Sequence, residues 1–288
     1  MARGLDHIVH AVRDLDRAAE VYRKLGFTVG ARNRHPWGTH NHIVQFAGCF
    51  IEVLAFVEPD KLGDDGISHL FAVYNRDFAA AHEGLSMVIL ESKDSGHDVS
   101  DFRVAGIAAS ESLRFEREAK RPDGSTVKVG FSLAFAQDRH APAIHFATCQ
   151  QHFPENFWNP AFQTHANSVV GIAAVVMVAD DPAAHRDMLL AFSDAARVSE
   201  DGEGYAVSLP RGAIEVMTAS AFVRRYGVPA PETDGGARLA ALRFSTANPA
   251  AARAVIGAAG IPHRHGGGAL VVQPAAGLGA TLLFAAAG

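Results

Sequence analysis

The sequence predicts an α+β fold in which one βαβββ unit is repeated four times. Three observations lead there. First, the stretches 4–27, 84–107, 171–194 and 238–261 align without gaps, and each opens on a short run of strand character. Second, each run meets an Asp or Asn (Asp14, Asp94, Asp180, Asn248) and then an amphipathic stretch of helical period, the pattern of a capped helix. Third, shorter strand-like stretches follow each helix, such as "FTVGARNR", "HNHIVQFA" and "CFIEVLAF" in the first unit. Alternating apolar and polar residues in several of them fit a sheet with helices on one face and a cavity on the other.

The elements follow in order. In "GLDHIVHAVRDL", His7 and His10 differ by an odd number and so face opposite sides of the first strand. Gly38 and Asn41 suggest a hairpin turn in "RHPWGTHNHIVQF", ahead of the strand that carries Glu52. Residues 57–78 read as a surface loop and then a short helix. Residues 149–167 are aromatic and aperiodic, so they form a connector that can drape Phe153, Phe157 and Trp158 over the first half. Residues 223–238 read as an exposed loop.

The chain has 288 residues, 48% apolar and 20% charged, a globular composition with room for two domains. A net charge of -5 with no basic block argues against nucleic acid and anionic membranes as partners. No run of about 18 apolar residues is present to span a bilayer. The start "MARGLDHIVHAV" enters a strand at once, without a signal-peptide pattern. Cys49 and Cys149 are too few for a disulfide framework; free thiols and a cytoplasmic location are expected. Both are expected to be small apolar fillers.

The motif "LDHIVHAVRDLDRAAEVYRKLGF", then "RHPWGTHNHIVQFAGCFIEVLAF" and the ending "GGGALVVQPAAGLGATLLF", resembles the vicinal oxygen chelate superfamily, in particular its glyoxalase-like domain subgroup. The resemblance implies four modules paired into two open, cup-shaped mixed β-sheets with helices on the outer faces. The expected boundaries are 1–150 for the first cup, 151–168 for a linker and 169–288 for the second.

It also implies where ligands sit, on the first and last strands of each module. His7 takes the first-strand position and Glu52 the last-strand one, so Glu52 is the expected catalytic group as well as a ligand. Met87, Ala174 and Ala241 stand where His7 does, and His145, Glu215 and Leu282 roughly where Glu52 does. The metal is thus expected in the first cup, held by His7, Glu52 and either His145 or His152, whose opposite parity admits one of the two. Zn, Ni, Mn or Fe would suit such imidazole and carboxylate donors. Trp37, His40, Gln45 and Trp158 are the expected substrate contacts, with Asn41 as another donor to a substrate carbonyl.

The function implied is a metal-dependent lyase or isomerase acting on a small oxygenated or carbonyl substrate chelated to the ion. Two alternatives stand beside it, an extradiol-type Fe(II) dioxygenase and a metal-free binding protein of the bleomycin-resistance type. The expected partners are a small-molecule substrate and, for assembly, a second copy of the chain.

Overall fold

The computed structural model describes residues 2–120 and 124–287. The first unit holds β1 (Leu5–Ala11), α1 (Leu15–Lys24), β2 (Asn33–Arg34), β3 (Thr39–Phe46) and β4 (Cys49–Phe56). A wide helical turn, Ser68–Val73, and α2 (Tyr74–Ala81) lead into the second: β5 (Gly84–Glu91), α3 (Ser95–Val104), β6 (Leu113–Lys120), β7 (Thr126–Ala136) and β8 (His145–Gln151). The connector carries α4 (Pro154–Phe157). The third unit holds β9 (Val169–Ala179), α5 (Arg186–Ser193), β10 (Ser199–Glu200), β11 (Gly204–Ser208) and β12 (Ala213–Met217). Helix α6 (Ala219–Tyr226) precedes the fourth: β13 (Ala237–Thr246), α7 (Pro249–Ala258), β14 (His263–Gly266), β15 (Ala269–Val272) and β16 (Thr281–Ala286).

Asp14, Asp94 and Asn248 cap their helices, accepting from backbone N–H groups of the first turn. In the third unit the cap is Asp181, one residue past the expected Asp180, and it opens a short turn, Pro182–His185, before α5. Proline sets the shift: it holds the residue before it extended and fits the first helical position.

In each unit the first strand pairs in parallel with the last: β1 with β4, β5 with β8, β9 with β12 and β13 with β16. The first strands pair antiparallel within each half, β1 with β5 and β9 with β13. The halves are therefore two open sheets, β2-β3-β4-β1-β5-β8-β7-β6 and β10-β11-β12-β9-β13-β16-β15-β14, joined where Leu239 of β13 meets Leu85 of β5. Arg211 adds a second tie, donating to Leu5 O and to Glu91. Among the described residues no helix is long and apolar enough to cross a membrane.

Strand alternation divides β1 between two environments. Ile8 packs with Leu15, Ala18 and Tyr22 of α1, whereas Val9 joins Leu54, Met87 and Ile89 on the inner face. His10 is fully buried on the helix side, where it accepts from Tyr22 Oη at 2.7 Å and donates to Leu278 O at 2.9 Å. Both nitrogens are satisfied in the neutral form, so His10 is structural and ties the first strand to the last module.

The two inner faces are closed differently. In the second half α6 lies in the cup, with Phe222 and Tyr226 buried among Val176, Val178, Ala241 and Leu283. The expected exposed loop at 223–238 thus begins inside a helix whose apolar face fills the cup. In the first half α2 and the turn before it cover the β5–β8 side and leave the β1–β4 side hollow.

Burial lowers three imidazoles well below 6.5: His10 and His145 to about 4, His35 to about 3. The unfolded chain takes up these protons before the folded one does. Their contribution to stability is therefore full above pH 6.5 and is lost as the pH falls toward 4. For His10 the loss is about 1.4 kcal/mol per pH unit. Urea unfolding at pH 7.5, 6 and 5 checks this: His10→Gln should show a shallower acid slope than wild type, and an equal slope would overturn the assignment.

Candidate functional site

The hollow side of the first cup holds a small, partly open cavity. β1 gives it His7, β3 gives Asn41 and Ile43, and β4 gives Phe50 and Glu52. The turn before β3 supplies His35 and Trp37, and β6 supplies Phe115 and Arg117. Phe71, Phe131, Leu133, Cys149 and Phe157 complete the wall.

Glu52 centres the polar side and is 5% exposed. Asn41 Nδ2 donates to its Oε1 at 2.5 Å, and His35 Nε2 stands 3.8 Å from the same oxygen. His7 Nε2 stands 3.8 Å from Oε2. Burial raises the carboxyl above its ordinary range, against the opposing pull of His7 and Asn41. Carboxyls held this way in a cleft are candidate proton-transfer groups.

His7 is oriented from behind. Its ring lies flat on Phe50, centroids 4.2 Å apart, and Nδ1 donates to Asp6 Oδ1 at 2.6 Å. Neighbours on a regular strand point to opposite faces. A register shift between Leu5 and His7 against β5 lets these two side chains meet. The other Asp6 oxygen accepts from Gln151 Nε2 at 3.0 Å. With Nδ1 held by Asp6, the other ring nitrogen, Nε2, faces Glu52.

One donor group is gathered within ligand distance, and a looser set, not so gathered, lies in front of His7. Ligand atoms of Asp6, His7 and Cys149 lie within 4.8 Å of one another. Burial pushes the Cys149 thiol well up, so this group offers a neutral thiol where an ion wants a thiolate. The chemistry fits better in front of His7. His7 Nε2, Glu52 and His35 Nε2 are two imidazoles and a carboxylate, and Asp6 is the carboxylate that steadies the ring from behind. Asn41 Nδ2, which donates to Oε1, also lies 3.4 Å from His35 Nε2, which accepts from it.

Register decides the second module's share. His7 is level with Phe50, and Val9 with Glu52; Met87 is level with His145, and Ile89 with Ala147. Since Met87 replaces His7, Ala147 replaces Glu52, and His145 is the counterpart of Phe50. His145 is accordingly not beside Glu52. It stacks on Tyr74 of α2 with centroids 3.3 Å apart and donates from Nδ1 to Leu70 O at 3.0 Å. His152 lies outside the cavity as well, bonded to Ser132 Oγ at 2.8 Å at the end of β8. The equivalent in module four is Leu283, level with Arg243, in place of Leu282. Glu215 holds its expected level, opposite Val176, and is neutralised by Arg243.

The expected substrate contacts divide. Trp37 lines the cavity. His40 does not; its Nε2 donates to Glu58 Oε2 at 2.7 Å. Gln45 and Trp158 line an outer groove, where Gln45 donates to Phe157 O and accepts from Asn159 N. Asn41 lies within β3, not in a turn, because Gly38, at φ +89°, makes the reversal. Phe157 lines both spaces, so the connector does drape over the first cup. Sequence reasoning passed over Asp6, His35 and Arg117. Asp6 is adjacent to His7, but the strand shift that turns it inward leaves no mark in the sequence.

Glu52 has a raised folded-state pKa, so its cost is absent at low pH and is felt as the pH rises through that value. Glu52→Gln should therefore raise the melting temperature, and by more at pH 8 than at pH 5. A variant less stable than wild type at pH 8 would show that the carboxylate is compensated.

A family model described as "Glyoxalase-like domain" matches residues 5–192. No curated protein matches the chain. Among solved structures, a hypothetical protein from Staphylococcus aureus aligns over 98% of both chains with a TM-score of 0.69 and 14% identity. A mutant 4-hydroxymandelate synthase from Streptomyces coelicolor aligns over 91% of this chain and 76% of its own, with a TM-score of 0.55 and 12% identity. A xylose isomerase-like TIM barrel/4-hydroxyphenylpyruvate dioxygenase fusion protein aligns over 91% of this chain and 40% of its own, with a TM-score of 0.51 and 15% identity. These likenesses concern the fold. With its repeated modules and the match over most of its length, this chain belongs to the glyoxalase-like domain family, within the vicinal oxygen chelate superfamily.

Proposed function

We propose that the chain is a metal-dependent enzyme of lyase or isomerase type, acting on a small oxygenated or carbonyl substrate in the first cup. The observation that carries this reading is Glu52, a buried carboxyl with raised proton affinity, facing an oriented imidazole in an aromatic-walled cavity. His7 and Glu52, with His35 beside them, would hold a divalent ion, which supplies Lewis-acid stabilisation of negative charge on substrate oxygen. The chain's own groups do the rest. Asn41 holds Oε1 of Glu52, and Oε2 takes a proton from carbon next to the carbonyl. Asp6 fixes the His7 ring. The walls of Phe50, Phe71, Phe115 and Phe131 exclude water and orient the substrate.

A metal-free binding protein is the second reading. Met87 and Ala147 at the second module's ligand positions support it, as does the aromatic wall.

Two measurements separate them. Metal per chain should be near stoichiometric in wild type after exposure to Zn, Mn, Ni or Fe(II), and should fall in His7→Ala and Glu52→Ala. Solvent deuterium incorporation into a panel of small carbonyl compounds should be at least about 100-fold slower in Glu52→Gln. A wild type that binds no metal from any of the four would leave the binding reading.

A further inference from the structure

Arg117 is the unexplained charge at this site. It stands on β6 and lines the inner cavity together with Glu52, and it also lines the outer groove. Among the described residues no carboxylate lies within ion-pair distance of its guanidinium. Among the described residues its one hydrogen bond is from Nη1 to Glu118 O at 3.3 Å, and its Nε is buried without a partner. Burial lowers its proton affinity, with Glu52 opposing at longer range. A desolvated guanidinium is costly to leave unpaired, and its planar fork suits a carboxylate. Trp37, another wall residue that is 5% exposed, has its indole Nε1 buried without a partner as well. Two donors are thus unspent in one small cavity.

The body of the ligand is indicated by the rest of the wall. Phe50, Phe71, Phe115, Phe131 and Phe157 surround the space, a lining suited to a flat ring or short apolar chain. Among the described lining residues Arg117 is the only Lys or Arg, and Glu52 is the acidic one. One cation facing one carboxylate suits a singly charged head and disfavours a phosphate monoester's two charges.

We propose that Arg117 is a specificity-determining residue that anchors the carboxylate of a small aromatic or aryl-alkyl acid, with the apolar body against the phenylalanine wall. This deepens the reading of the cavity as a substrate pocket and requires no reaction or metal for its test.

The test uses two probes of equal shape, 3-phenylpropionate and 3-phenylpropanamide, titrated by calorimetry into the full chain. The acid should bind wild type about ten-fold or more tightly than the amide, the scale of a charge-assisted hydrogen bond. Arg117→Gln should bring the ratio near one, and Arg117→Lys should restore part of it. The preference for the acid should be kept or grow in Glu52→Gln, which removes the proposed proton-transfer group and the one carboxylate among the described lining residues. A failure of the catalytic reading therefore leaves this outcome intact. Equal binding of acid and amide by wild type, no binding of either, or an unchanged ratio in a folded Arg117→Gln would overturn the proposal.

Discussion

The arrangement of the first cup depends on one interaction, the carboxyl of Glu52 held out of water. A buried carboxylate is expensive without partners, and its surroundings answer that cost with partial compensation. Asn41 gives one short hydrogen bond, and two imidazoles stand at 3.8 Å. None of these is a full ion pair, so the group keeps a raised proton affinity. The elements that supply them come from β1, β3 and the turn before β3, which is why the first module carries almost all of the polar chemistry.

The equivalent carboxyl in the second half shows the other solution. Glu215 keeps its place on β12, but Arg243 of β13 pairs with it. Phe222 and Tyr226 of α6 then fill the space in front. In the first half α2 does something similar to the second module alone, stacking Tyr74 on His145 and bringing Asn75 to Met87. Four similar units build the two sheets. Helices inserted after β4 and β12 decide which parts of them remain hollow.

Much of the fold was legible in the sequence because strand and helix periods and cap residues are local signals. The alternation in "DHIVHA" put His7 inward and His10 against α1, and the repeat put Glu52 and His7 on one face. The site was legible only in part. His145 was matched to Glu52 two residues out of register, and strand pairing, not sequence, exposes that offset. His35 and Arg117 reach the cavity from a turn and from the far strand of another module, across distances no local pattern reports. Residues 223–238 were read as a loop because their glycines and prolines lie just past a helix end, whose apolar face is short.

Phe157 belongs to neither sheet. It sits in the connector, yet it walls the cavity beside Phe50 and Phe131 at 5.0 and 5.8 Å between ring centroids. Its neighbourhood is itself tied down by Gln45, and farther along by His165, which accepts from Thr28 N and donates to Gln45 O. The unit of inheritance for the pocket is therefore longer than the sheet that bears its polar groups. Cutting the chain after β8 would keep all eight strands of the first cup and still uncover its ring-lined side, so recombination or domain grafting that respects strand boundaries would not transfer the pocket intact.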